Sequence, residues 1–161
     1  MSKEELYLKT EFCCMACDGD IATEEVALLK QMADKEQIFG KLDVQDLLNQ
    51  YIKEINANGA QFLNKYIESI KDSSLSKEDE LELIRIAIGT IEADEQIEYS
   101  EIRFFKKIRK NLSISDDEIL EVMPDKEDYL LPDVEVSTDF DWNFNFEAMN
   151  LMEVNFPEQK N

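Results

Sequence analysis

Apolar side chains recur at helical spacing along almost the whole chain up to Met123, and Pro124 is the first proline met. A proline inside a helix removes a donor and clashes with the preceding turn, so such a proline-free, 3.6-periodic stretch constrains the chain to helices. The periodicity predicts a first helix from Lys3 to Ala16, with Leu6, Phe12, Cys13 and Ala16 apolar. A second carries Val26, Leu29, Met32 and Ala33, and Gly40 interrupts after it. Asp43 is placed to cap a third helix carrying Val44, Leu47, Leu48, Tyr51, Ile52 and Ile55. Asn58-Gly59 reads as a C-cap. A fourth helix carries Phe62, Leu63, Tyr66, Ile67 and Ile70. Ser76 caps a fifth with Leu81, Ile84, Ala87, Ile88 and Ile91, and a sixth carries Ile102, Phe105, Ile108 and Leu112. Ser115 to Glu118 forms a capping box that opens a short seventh helix ending at Pro124.

Two helix-loop-helix junctions repeat. Ala16-Cys17-Asp18-Gly19-Asp20-Ile21-Ala22-Thr23-Glu24-Glu25-Val26 matches Glu92-Ala93-Asp94-Glu95-Gln96-Ile97-Glu98-Tyr99-Ser100-Glu101-Ile102. Asp18 aligns with Asp94, Ile21 with Ile97 and Glu25 with Glu101, at a constant offset of 94 − 18 = 76 residues. The apolar followers align as well, which suggests two hairpins in a pseudo-twofold arrangement. The expected fold is therefore all-α, a compact bundle of about seven helices containing two repeated hairpins.

The composition changes after the seventh helix. Residues 125–161 hold ten acids and two lysines, a net charge of 2 − 10 = −8 out of −20 for the chain. Phe140, Trp142, Phe144 and Phe146 alternate with Asp or Asn, the period of an extended segment with one apolar face. We divide the chain into a helical domain, residues 1–123, and an acidic, aromatic-rich extension, residues 124–161, expected to lie in an apolar groove of its own bundle, the alternative being that it docks on a partner through its acids and aromatics.

The charge and the residue inventory exclude several functions. A net charge of −20 and a pI near 4.2 oppose binding to nucleic-acid phosphates or to an anionic membrane surface. The absence of histidine removes the usual general base and the commonest transition-metal ligand. With four glycines, the chain carries no phosphate-cradling motif. No signal peptide or membrane span is visible, and three cysteines, two of them adjacent, make a poor disulfide framework, so a cytoplasmic location is expected. Cys14 and Cys17 form a C-x-x-C, but at a helix C-terminus, where the dipole opposes a thiolate. Cys13, Cys14 and Cys17 are expected to be small buried side chains.

The acidic junctions admit two readings. Carboxylates from two loops brought together repel unless a cation or protons neutralise them, and oxygen-only donors suit Ca²⁺, Mg²⁺ or Mn²⁺. The first loop is not an EF-hand, because Ala22 stands where a third ligand belongs. Alternatively, the acids satisfy orphan amides at helix starts and nothing more.

The junctions resemble the A-D-G-x-I-x-x-x-E signatures of the tellurite-resistance TerB-like family, and the resemblance covers residues 12–123. It implies a compact bundle of about seven helices, an association with stress responses, no established catalytic activity, and use as a protein-interaction module. It also implies a divalent-cation site at the matching positions Asp18, Asp20, Glu24, Glu25, Asp94 and Glu101. The second junction departs from the pattern, with Glu95 in place of glycine and Gln96 in place of an acid. The expectation is thus a non-enzymatic domain that binds a divalent cation and protein partners, with no nucleic acid and no membrane insertion. The rival is a metal-free structural adaptor.

Overall fold

The computed structural model describes residues 2–16, 23–36, 38–93 and 99–130. Its elements run α1 (Lys3–Ala16), α2 (Thr23–Gln31), α3 (Val44–Ala57), α4 (Gly59–Asp72), α5 (Lys77–Glu92), α6 (Tyr99–Lys110) and α7 (Asp116–Val122). A wider π turn, Met32–Glu36, extends α2, and a 3₁₀ segment, Pro124–Leu130, follows α7. The fold is all-α, and no strand occurs among the described residues.

Helix α1 is the axis of the bundle. Ten of its 14 residues are buried, from Leu6 and Leu8 through the unbroken run Thr10–Ala16. A helix covered on nearly all sides cannot be amphipathic, and this explains its mixed sequence. Its most extensive partner is α5, and the two are related by the repeat offset, since Ala16 and Glu92 end them 76 residues apart. Likewise α2 starts at Thr23 and α6 at Tyr99, again 76 apart. Packing crosses over between the repeats, α2 against α5 and α6 against α1, as paired hairpins require.

The α3–α4 hairpin closes one flank. Phe12 of α1 meets Tyr51 of α3 and Phe62 of α4 at centroid distances of 5.6 and 5.7 Å. Lys9 Nζ lies over both the Tyr51 and Phe62 rings. Deeper in, Thr10 Oγ1 donates to Leu6 O at 2.8 Å and lies 2.6 Å from Tyr66 OH. The threonine hydroxyl has one hydrogen, so the Tyr66 phenol must be the donor of the second bond.

The helix ends follow their sequence signals with one difference. Asp43, Ser76 and Ser115 cap α3, α5 and α7, and Ser115 with Glu118 completes the reciprocal box. At Asn58-Gly59, glycine is not the terminator. Asn58 ends α3 through its own N–H to Glu54 O and starts α4 by accepting from Gln61 N. Gly59 is instead the buried first residue of α4. Among the described residues the left-handed glycine is Gly40, with φ +60°, in the turn after the π segment; an L side chain there is strained.

Residues 124–130, on the far side of the compositional change, pack onto the bundle. Tyr129 is buried against Phe105 at 5.5 Å. Lys126 Nζ donates to both Glu92 oxygens and Tyr129 OH to one of them, all at 2.9 Å.

Candidate functional site

Both junction loops, residues 17–22 and 94–98, lie outside the described residues, and Asp18, Asp20 and Asp94 lie with them. So do Cys17 and the extension from residue 131. The structure places the other three implied ligands. Glu24 is exposed in the first turn of α2, where its charge favours the helix dipole. Glu25 and Glu101 are buried, at 3 % and 1 % exposure. Each is the third residue of its helix, so the repeat carries the two carboxylates to equivalent positions at the starts of α2 and α6.

A third buried carboxylate, Glu11, belongs to α1 and is fully enclosed. The three glutamates share the surroundings of Cys14. Burial first, then the charges of Cys13, Glu11, Glu101 and Glu25, hold the Cys14 thiol well above its ordinary range. Cys13 is likewise pushed up, mainly by burial. Both thiols are buried and unbridged. Sequence reading assigned α1 its apolar face but did not single out Glu11. The available signal was a glutamate directly before the apolar run Phe12–Ala16, on a helix with apolar residues on every side.

The donor set is chemically suited to a hard cation, because the buried ligands are carboxylates and no histidine competes. Among the described residues, no three Asp, Glu, Cys or His side chains are arranged to hold a metal ion. Three of the six implied ligands come from the two loops. Of the other three, Glu25 and Glu101 are the buried ones, and Glu24 is exposed.

Not every buried acid points to a ligand. Glu80 of α5, 6 % exposed, accepts from Ser113 N at 3.0 Å, Ser113 Oγ at 3.0 Å and Ile114 N at 2.8 Å. It satisfies the loop that joins α6 to α7, a structural task.

An all-α bundle built from two hairpins, with repeat-equivalent glutamates buried where each second helix starts, defines a class of small acidic helical domains. The family model described as tellurite resistance protein TerB matches residues 12–123, well over half of the chain, and the protein belongs to that family. The chain matched no curated protein and no solved structure. No helix among the described residues is long and apolar enough to cross a membrane.

Proposed function

We propose that this protein is a non-enzymatic TerB-family domain that binds a divalent cation through its two acidic junctions and engages protein partners. The observation that carries the reading is the burial of Glu25 and Glu101 at repeat-equivalent helix starts. Placing carboxylates in the interior is costly unless their charge is offset. Two such groups, one from each repeat, are what a shared ion would need. The family's association with stress responses supports the setting, and the charged exterior supports a role in protein contacts.

The ion supplies positive charge that holds the two hairpins together. The protein supplies oxygen donors on rigid helix starts and a charge environment that favours calcium, magnesium or manganese. Millimolar Mg²⁺ or Ca²⁺ should stabilise chelator-stripped protein by mass action, by about 2.7 kcal/mol at a hundredfold excess over Kd. For a chain of this size that is a rise in Tm of about 5–10 °C. Glu25→Gln with Glu101→Gln should abolish the rise. An unchanged melt of the stripped wild type at millimolar cation would overturn the reading.

The metal-free adaptor has an observation in its favour, since Glu80 shows that this chain also uses a buried acid to hold a loop, with no ion called for. It predicts no cation response, and the same titration decides.

A further inference from the structure

The charge of the chain is not evenly spread. Helix α6 carries five of the 17 basic residues, Arg103, Lys106, Lys107, Arg109 and Lys110, against one acid, the buried Glu101. Arg109 is committed to Asp116 at the start of α7. The other four fall at i, i+3, i+4 and i+7, a single stripe along the helix. The buried residues of α6, namely Glu101, Phe104, Phe105 and Ile108, occupy the opposite side, so the stripe lies on the outer side of the helix, with Lys110 exposed and Arg103, Lys106 and Lys107 half-buried. Arg103, Lys106, Lys107 and Lys110 each take part in further interactions. What distinguishes the face is the sign and spacing of its charge in a molecule that is otherwise acidic.

We propose that this stripe is the docking surface for the chain's own acidic, aromatic-rich segment, residues 131–161. Three observations support that occupant. First, the segment holds seven acids and one lysine, a net charge of 1 − 7 = −6, complementary to the stripe. Secondly, the described chain ends at Leu130, in a 3₁₀ segment that packs on α6 through the Tyr129–Phe105 ring contact. The segment therefore leaves the bundle from α6 itself, on the Phe105 side of that helix, and must pass round it to reach the stripe. Thirdly, its length is ample. Helix α6 is about 18 Å long, and the stretch from residue 131 to Phe146 reaches about 50 Å when extended. Attachment to the same chain raises the local concentration of the segment to about the millimolar range. Carboxylates such as Asp139 and Asp141 neutralise the ammonium groups, and the interleaved rings cover the aliphatic stems or stack on Arg103. The face thus selects an acidic peptide bearing aromatics, and the protein carries one.

Trp142 is the sole tryptophan, so tryptophan emission, excited at wavelengths where the five tyrosines do not absorb, reports on this segment alone. The experiment follows acrylamide quenching of Trp142 in the wild type at low salt and at about 1 M salt, where charges are screened within about 3 Å. The same measurement is made on K106E/K107E/K110E, on D139K/D141K, and on the two combined. The docked state predicts a quenching constant that rises about twofold or more with salt and in each charge-reversed variant. It also predicts that the combined variant regains protection at low salt. Far-UV circular dichroism checks that the bundle persists. If the triple reversal does not fold, K106Q/K110Q and the wild-type salt series give the same readout. Quenching that is equal across salt and variants overturns the proposal, whether Trp142 is exposed or protected throughout. Protection that depends on protein concentration also overturns it, by assigning the stripe to the segment of a second copy.

Discussion

Buried glutamates behave differently here according to what surrounds them. Glu80 accepts three hydrogen bonds from Ser113 and Ile114, and removing its side chain leaves the Ile114 amide buried without its acceptor while exposed Ser113 turns to water. Glu80→Ala should cost about 3 kcal/mol, with Glu80→Gln milder because an amide oxygen still accepts. Urea unfolding curves with unchanged m-values would measure both, and a cost below about 0.5 kcal/mol, the size of an ordinary surface change, would refute the role. None of this was legible in the sequence. Glu80 stands in the first turn of a capped helix, where an acid is expected on dipole grounds alone, and its partners lie 33 and 34 residues away. Glu11 was hidden for a related reason. One-face periodicity does not reveal a helix that is covered all round, so a buried polar residue on it looks like part of a solvated side.

At the scale of the element, local chemistry was readable because it needs only near neighbours. Asp43, Ser76 and Ser115 were identifiable as caps from their spacing, and α1 begins and ends where its pattern does. Asn58-Gly59 was legible as a break but not in its mechanism, because one asparagine serves two helices. Asn58→Ala removes the side chain that accepts from Gln61 N and donates to Gln61 Oε1. It should cost about 1 kcal/mol, lowering Tm by about 2–4 °C. Asn58→Gly, which keeps the backbone freedom, should cost only a few tenths of a kcal/mol. Equal losses for the two would show that the side chain contributes nothing beyond conformational freedom. The basic stripe of α6 escaped notice because charge was summed over the whole chain, and a total of −20 conceals five cations on one helix.

For the whole molecule, the repeat was the most informative signal. It anticipated the matched ends of α1 with α5 and the matched starts of α2 with α6; Glu25 and Glu101, at equivalent positions in the two repeats, are both buried. Asp18, Asp20 and Asp94 fall outside the described residues, so the full ligand set rests on the family resemblance. The enclosed thiol and phenol groups shape the alkaline side of the pH response. Burial raises Cys13, Tyr7 and Tyr51 above their ordinary values. Each raised group binds its proton more tightly when folded, so the stability it contributes is full below its unfolded value and declines as pH rises beyond it. The urea midpoint should therefore fall above the ordinary thiol value of 9.0 and more steeply above the phenol value of 10.0. A midpoint that rises through that alkaline range would contradict the burial of these groups. The grip of Lys126 and Tyr129 on Glu92 has a consequence of a different kind. It closes a ring in the chain, spanning 34 and 37 residues at its two contacts, and the ring encloses the second junction, α6 and α7. Since Glu92 ends α5 on one side of that junction, the ring fastens the second hairpin beside its turn as a buckle fastens a strap. Whatever residues 131–161 engage pulls first on this buckle, before any strain reaches the junction it encloses.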